Sequence, residues 1–137
     1  MKKKIILIVE DEKDIRTILA ADVKEAGYEV FEAEEGFSAL KIAAEIKPDL
    51  IITDVLMPKM NGNELVKRLR ATQWGQRIPL IILTARVLMR DYFDILDIDE
   101  FVDKPFLTSE ILEKIQKILD KQALLKIVEE KFRKRKS

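Results

Sequence analysis

A doubly wound α/β domain on a five-stranded parallel sheet is the fold that the sequence predicts, and three observations carry that prediction. Short runs rich in Ile, Val and Leu recur at Ile5 to Val9, Tyr28 to Ala33, Leu50 to Thr53 and Leu80 to Leu83, with a weaker one at Phe101 to Val102. Helical patterns separate them, with apolar residues at 3.6-residue spacing. The strands are almost continuously apolar rather than alternating, as expected of a parallel sheet covered by helices on both faces.

The helices follow in chain order. Ile15, Ile18, Leu19, Val23 and Ala26 share one helical face, then Ala39, Leu40, Ala43 and Ile46, then Leu65, Val66 and Leu69. A fourth helix is expected over Val87 to about Leu96, and a last one from Thr108, where "TSE" offers a capping hydroxyl and an early acid. Five strand-helix units suit the flavodoxin-like strand order 2-1-3-4-5, with right-handed crossovers. In the last helix Ile111, Ile118, Leu125 and Phe132 recur every seven residues, but the companion seam of Ile115, Gln122 and Glu129 is only one third apolar, which argues against a continuous coiled coil. The expected division is a folded domain over residues 1–120 and a helical, basic extension or linker over residues 121–137.

Composition narrows the function. The chain has 137 residues, enough for one domain, and is 47% hydrophobic and 36% charged, an ordinary globular balance. Twenty-five basic and 25 acidic residues cancel, so no global field draws it to nucleic acid or anionic lipid. The basic end "KFRKRKS" reads as a solvated helix terminus rather than a nucleic-acid contact, since one short tail reaches few phosphates. The run after "MKKK" ends at Glu10 and Asp11, too short for a signal peptide, and no apolar stretch is long enough to span a membrane. A soluble, cytoplasmic protein is expected. Without cysteine there are no disulfides or thiolate sites; without histidine there are no Ser-His or Cys-His pairs and no internal phosphohistidine. Chemistry must use carboxylates, hydroxyls and lysine.

Those groups stand at the strand ends, where ligands bind in such sheets. Glu10 and Asp11 follow the first strand, Asp54 the third, Thr84 the fourth and Lys104 the fifth. Singly, each has a bland reading: Asp11 or Glu12 could cap the next helix, Thr84 could be a loop residue, and Lys104 before Pro105 could be an exposed turn lysine. At successive strand ends they converge on one shallow pocket. Crowded carboxylates raise one another's pKa unless a cation offsets them, and an all-oxygen set suits Mg²⁺. Asp54 is the candidate nucleophile, because an ionised carboxylate needs no general base and aspartyl phosphates are a known covalent species. Lys104 would supply a second positive charge and Thr84 a hydrogen bond to a phosphoryl oxygen.

These residues resemble the receiver domains of bacterial response regulators in two-component signalling. "IVEDE" after the first strand, "DVLMPKMNG" around Asp54, "LTA" from Leu83 to Ala85 and "FVDKPF" from Phe101 to Phe106 match that family's motifs in order, over about residues 3 to 120. The resemblance implies that Asp54 is phosphorylated by a partner histidine kinase or phosphotransfer protein. It implies that Glu10, Asp11, Asp54 and the Leu56 carbonyl hold Mg²⁺, that Thr84 and Phe101 switch with phosphorylation, and that Lys104 contacts the phosphoryl group ahead of a cis bond to Pro105. It further implies a signalling phosphoacceptor rather than an enzyme, monomeric or dimerising on phosphorylation, without membrane or direct nucleic-acid binding. Departures are Glu10 where an aspartate is common, Val55 where some members have tryptophan, and a stretch "VLMRDYFDILDIDEFVDK" that is slightly shorter than usual and has Asp97-Ile98 where Gly-Ala is common, from which a shortened or distorted fourth helix is expected.

Two other classes stand beside this reading. A phosphoaspartyl hydrolase of the haloacid-dehalogenase type needs an acid two residues after the nucleophile, where this chain has Leu56. A phosphate-independent interaction module would use the acids only as helix caps.

Overall fold

The computed structural model describes residues 2–55, 57, 59–84 and 98–136. In chain order the elements are β1 (Ile5–Val9), α1 (Lys13–Glu25), β2 (Glu29–Ala33), α2 (Gly36–Ile46), β3 (Leu50–Asp54), α3 (Gly62–Arg70), β4 (Leu80–Thr84), β5 (Glu100–Asp103) and α4 (Thr108–Lys136). The helix expected over 87–96 lies outside the described residues.

The strands form one sheet in the order β2-β1-β3-β4-β5, the order expected from the sequence. All four pairings are parallel, with Leu7 opposite Phe31 and Ile51, and Ile82 opposite Thr53 and Phe101. Because successive side chains on a strand point to opposite faces, each apolar strand feeds two cores. Ile6, Ile8, Leu50, Ile52, Ile81, Leu83 and Val102 meet Leu19 and Val23 of α1 and Ile111, Ile115 and Ile118 of α4 on one face. Leu7, Val9, Ile51, Leu80 and Ile82 meet Ala39 and Ala43 of α2 and Leu65, Val66 and Leu69 of α3 on the other. The three inner strands β1, β3 and β4 are buried on both faces and have no use for a charged side chain until they leave the sheet, so their acids and hydroxyls gather at the C-terminal ends, whereas the edge strands β2 and β5 carry Glu29, Glu32 and Glu100 within them.

Side-chain caps fix where two helices begin. Ser38 N–H donates to the Glu35 carboxylate at the start of α2 (2.6 Å), and Glu64 N–H donates to Asn61 Oδ1 at the start of α3 (2.8 Å). Leu19 and Val23 of α1 and Leu65, Val66 and Leu69 of α3 are buried as read from the sequence, whereas Ile18, 61% exposed, and Ala26 lie toward solvent and Ala20 is buried in their stead.

The last helix is long. It continues without a break for 29 residues, although only its first part packs: Ile111, Ile115 and Ile118 are buried, whereas Leu125 and Phe132 are exposed. Helix propensity explains the continuation, since Lys, Gln, Ala, Leu and Glu dominate the stretch after Asp120 with no Gly or Pro to end it. The Arg77 guanidinium lies 3.7 Å from the Glu129 carboxylate, an exposed pair of small energetic weight.

Candidate functional site

The order of strands reverses at β1, which pairs with β2 on one side and β3 on the other. Loops leaving β1 and β3 diverge there and open a crevice at the C-terminal edge of the sheet. Glu10 and Asp11 leave β1 at this crevice, Asp54 is the last residue of β3, Thr84 the last of β4, and Lys104 follows β5.

The three acids converge. One carboxylate oxygen from each of Glu10, Asp11 and Asp54 lies within 4.8 Å of the others. Lys104 reaches in from β5, with its Nζ 2.7 Å from Glu10 Oε1 and 3.3 Å from Asp54 Oδ1. Thr84 is buried beside them, and its carbonyl accepts from the Lys104 N–H at 2.8 Å, so the ends of β4 and β5 are tied together. Phe101 is half-buried on β5, against the core shared with α2 and α3. Lys104 and Pro105 are joined by a cis peptide bond. Leu56, whose carbonyl the resemblance assigns to the metal, lies outside the described residues, as does Ala85 of "LTA".

The loop after β3 shapes the nucleophile's backbone. Val55 N–H donates to Asp54 Oδ1 at 2.8 Å and its carbonyl accepts from Gly62 N–H at 2.8 Å, folding the start of α3 against the end of β3. Gly62 packs so tightly that a Cβ there would stand 2.5 Å from the Asp54 carbonyl oxygen. The bland capping reading of the first acids fails here: Glu12 occupies the N-cap position of α1 but makes no side-chain cap bond.

Charge inside this pocket is poorly solvated. Glu10 is fully buried, and burial, followed by its hydrogen bond with Asp54, pushes its carboxyl up to about 7 despite the opposing pull of Lys104. Burial pulls the Lys104 ammonium down, but the hydrogen bond to Glu10 and the charge of Asp54 outweigh it and hold its pKa above the usual lysine value. Crowding was legible from the sequence; that burial outranks the neighbouring charge was not. Among the described residues Glu10 Oε2 is buried without a hydrogen-bond partner, an orphaned oxygen in an all-carboxylate cluster. That oxygen, with Asp11 and Asp54, fits a hard divalent cation.

The raised Glu10 pKa has a measurable consequence. A carboxyl whose value is about 7 in the folded chain and 4.5 in the unfolded one favours the protonated folded form. Its contribution to stability is complete below pH 4.5 and is lost as pH rises through about 7, a loss on the order of 3 kcal/mol. In EDTA the protein should therefore melt several degrees lower at about pH 8 than at about pH 5.5, and Glu10→Gln should flatten that difference. Parallel pH profiles for both chains would overturn the assignment to Glu10.

A cavity of about 620 Å³ opens at the opposite end of the sheet, lined among others by Pro48, Trp74, Arg77, Pro79 and Leu125, and shares no residue with the acid cluster. Sequence reasoning missed two residues that shape the site. Gly62 closed the motif "DVLMPKMNG" but was given no role there, and Arg16 was visible only as the one basic residue inside "DIRTIL", where it could have been read as solvent-facing.

Sheet order and strand-end residues together define a receiver domain. The chain belongs to the response regulator receiver domain family of two-component signalling, whose family model matches residues 6–116. Among curated proteins it is 40% identical over 121 residues to an alkaline phosphatase synthesis transcriptional regulatory protein of Bacillus subtilis, covering 87% of this chain and 49% of that protein. It is 39% identical over 127 residues to a histidine kinase of Formosa agariphila, covering 91% of this chain and 9% of the kinase. The chain thus spans about half the length of the first relative and a small part of the second. Among solved structures it resembles a chemotaxis response regulator of Vibrio cholerae (30% identity, TM-score 0.81, 85% of this chain and 99% of that one). It also resembles the receiver domain of a sensor histidine kinase from Pseudomonas aeruginosa, solved with magnesium coordinated in its active site cleft (29% identity, TM-score 0.79, 85% and 97%).

Proposed function

We propose that this chain is a phosphorylation switch that accepts a phosphoryl group on Asp54 from a partner histidine kinase or phosphotransfer protein and answers with altered protein contacts. The observation that carries the reading is the carboxylate of Asp54 at the strand reversal, 3.3 Å from Lys104 Nζ and clustered with Glu10 and Asp11. A histidine donor lies outside these 137 residues, which contain no histidine.

In the transfer, an oxygen of the ionised Asp54 carboxylate attacks phosphorus. The bond from phosphorus to the donor nitrogen or oxygen breaks, and the leaving group departs with the electron pair. Val55 N–H holds Asp54 Oδ1 and fixes the carboxylate plane, so the other oxygen is the attacking one. Lys104 Nζ faces the charge developing on the phosphoryl oxygens, and the hydroxyl of Thr84 donates to one of them as the fold responds. Phe101 on β5 then changes rotamer. Glu10, Asp11 and Asp54, with the Leu56 carbonyl, are the residues that would hold Mg²⁺, which supplies charge neutralisation when bound. The family relation supports reading the chain as a cytoplasmic signalling acceptor rather than an enzyme acting on free substrates. Residues 1–120 act as the receiver and 121–137 as a helical extension toward an output.

Intact-mass measurement after incubation with acetyl phosphate and Mg²⁺ tests this. One phosphoryl group should be gained, and EDTA should prevent the gain. Absence of any adduct, or a gain indifferent to EDTA, would overturn the reading.

A further inference from the structure

Arg16 is charged, yet its side chain is only 9% exposed. It sits in the first turn of α1 and curls back across the loop between β1 and α1. One guanidinium nitrogen donates to the Glu10 carbonyl at 2.8 Å, while the others lie 3.3 Å from Glu32 Oε1 and 3.5 Å from Glu34 Oε1. Glu32 is on β2 and Glu34 just beyond it. Arg16 therefore ties the backbone of Glu10 to the end of the neighbouring strand.

A second observation says why that tie matters. The loop Glu10–Glu12 has no side-chain cap at the start of α1, because Glu12 makes none. Glu10 N–H donates to the Ala33 carbonyl at 3.1 Å, and the Arg16 fork holds the carbonyl on the other side of the same residue. Both acids that β1 contributes to the pocket sit on this loop, and both must point at Asp54 for the cluster to form. The planar guanidinium, with several donors in fixed directions, suits a group that must reach one carbonyl and two carboxylates at once; a lysine ammonium does not.

We propose that Arg16 is a positioning residue for the acidic pocket: by clamping the Glu10 carbonyl to the end of β2, it sets the direction in which Glu10 and Asp11 present their carboxylates to a divalent cation shared with Asp54. The proposal rests on the reading of the pocket as a cation-dependent phosphoacceptor site.

The test is a Mg²⁺ titration of the full chain followed by amide NMR shifts of Val55 and Thr84, with no phosphodonor present. Arg16→Met should weaken Mg²⁺ binding about 10- to 100-fold, the usual effect of removing a group that orients a metal ligand. Arg16→Lys should recover less than half of that loss on a logarithmic scale, since it restores charge without the fork. Leu19→Ala, one turn along α1 on its buried face, should destabilise the chain at least as much while leaving Mg²⁺ affinity within about twofold. Unchanged affinity in Arg16→Met, equal weakening by Leu19→Ala, or full rescue by lysine would each overturn the positioning role. If the native chain binds no Mg²⁺ at all, the phosphoacceptor reading falls as well; if it binds Mg²⁺ and only the Arg16 pattern fails, this inference falls alone. Should Arg16→Met not fold, Glu32→Gln with Glu34→Gln loosens the same fork from its exposed side and should weaken Mg²⁺ binding in the same direction; no change there overturns the proposal.

Discussion

Asp54→Asn should reduce phosphoryl incorporation from acetyl phosphate to the level of the chain incubated without donor, while leaving the fold intact. The substitution keeps size and shape, and the asparagine carbonyl can still accept from Val55 N–H, which now bonds Asp54 Oδ1 at 2.8 Å. What it removes is the ionised oxygen that attacks phosphorus, and an amide is no substitute nucleophile. Stability should not fall with activity. Asp54 raises the pKa of Glu10 through both a hydrogen bond and its charge, so its neutralisation lowers that pKa and relieves crowding at neutral pH. In EDTA near pH 7.5 the variant should melt at the same temperature as the native chain or slightly above it. Intact-mass measurement reads the first outcome and differential scanning calorimetry the second. Labelling that persists in a well-folded Asp54→Asn chain would place the acceptor elsewhere.

The strand-end acids could be found in the sequence because a sheet covered on both faces excludes polar side chains until it ends. Against Leu50, Ile51 and Ile52, all buried, Asp54 stands out as the residue delivered to the crevice. The strand order was less legible: five apolar runs with intervening helices suit the order 2-1-3-4-5, but spacing alone does not select it. Residues whose role is to hold others left no such pattern. Arg16 lies on a helix whose apolar spacing already accounted for its neighbours, and nothing local says that its guanidinium turns back to the Glu10 carbonyl rather than out to water. The last helix shows a different limit of the sequence. A seven-residue recurrence with a polar companion seam argued against a coiled coil, yet helix formation needs only propensity, and the chain stays helical to Lys136, well beyond Ile118 and Leu119 where it packs on the core. Periodicity reports which face is buried; it does not report where a helix ends.

Gly62→Ala should both destabilise the chain and slow phosphorylation, and two opposing effects decide its size. Alanine is the better helix former by about 1 kcal/mol, which alone would make the change favourable at the start of α3. Against it, the new Cβ would lie 2.5 Å from the Asp54 carbonyl oxygen and 3.0 Å from Val55 Cα. Those are backbone atoms of a buried strand end, held by the ladder to β4 and by the bond from Gly62 N–H to the Val55 carbonyl, so they cannot turn away as a side chain would. Overpacking of this kind costs about 1–3 kcal/mol, so the net effect should be a loss of up to about 2 kcal/mol. Gly36 supplies the contrast. A Cβ there would meet Met60 Sδ at 2.6 Å and its Cβ and Cγ at 2.8 Å; Sδ and Cγ can rotate away, while the Cβ can shift only with the backbone of Met60, which lies in a loop and not in a sheet strand, so Gly36→Ala should cost less. The functional consequence follows from which backbone moves. Displacing the Asp54 carbonyl shifts the carboxylate relative to Lys104 Nζ, now 3.3 Å away, and misplacing a reacting group by a fraction of an ångström slows its reaction. Gly62→Ala should therefore slow phosphorylation by acetyl phosphate at saturating Mg²⁺, whereas Gly36→Ala should leave that rate within about twofold. Equal melting temperatures and equal rates for the two variants would show that the backbone at the end of β3 has slack that these distances exclude.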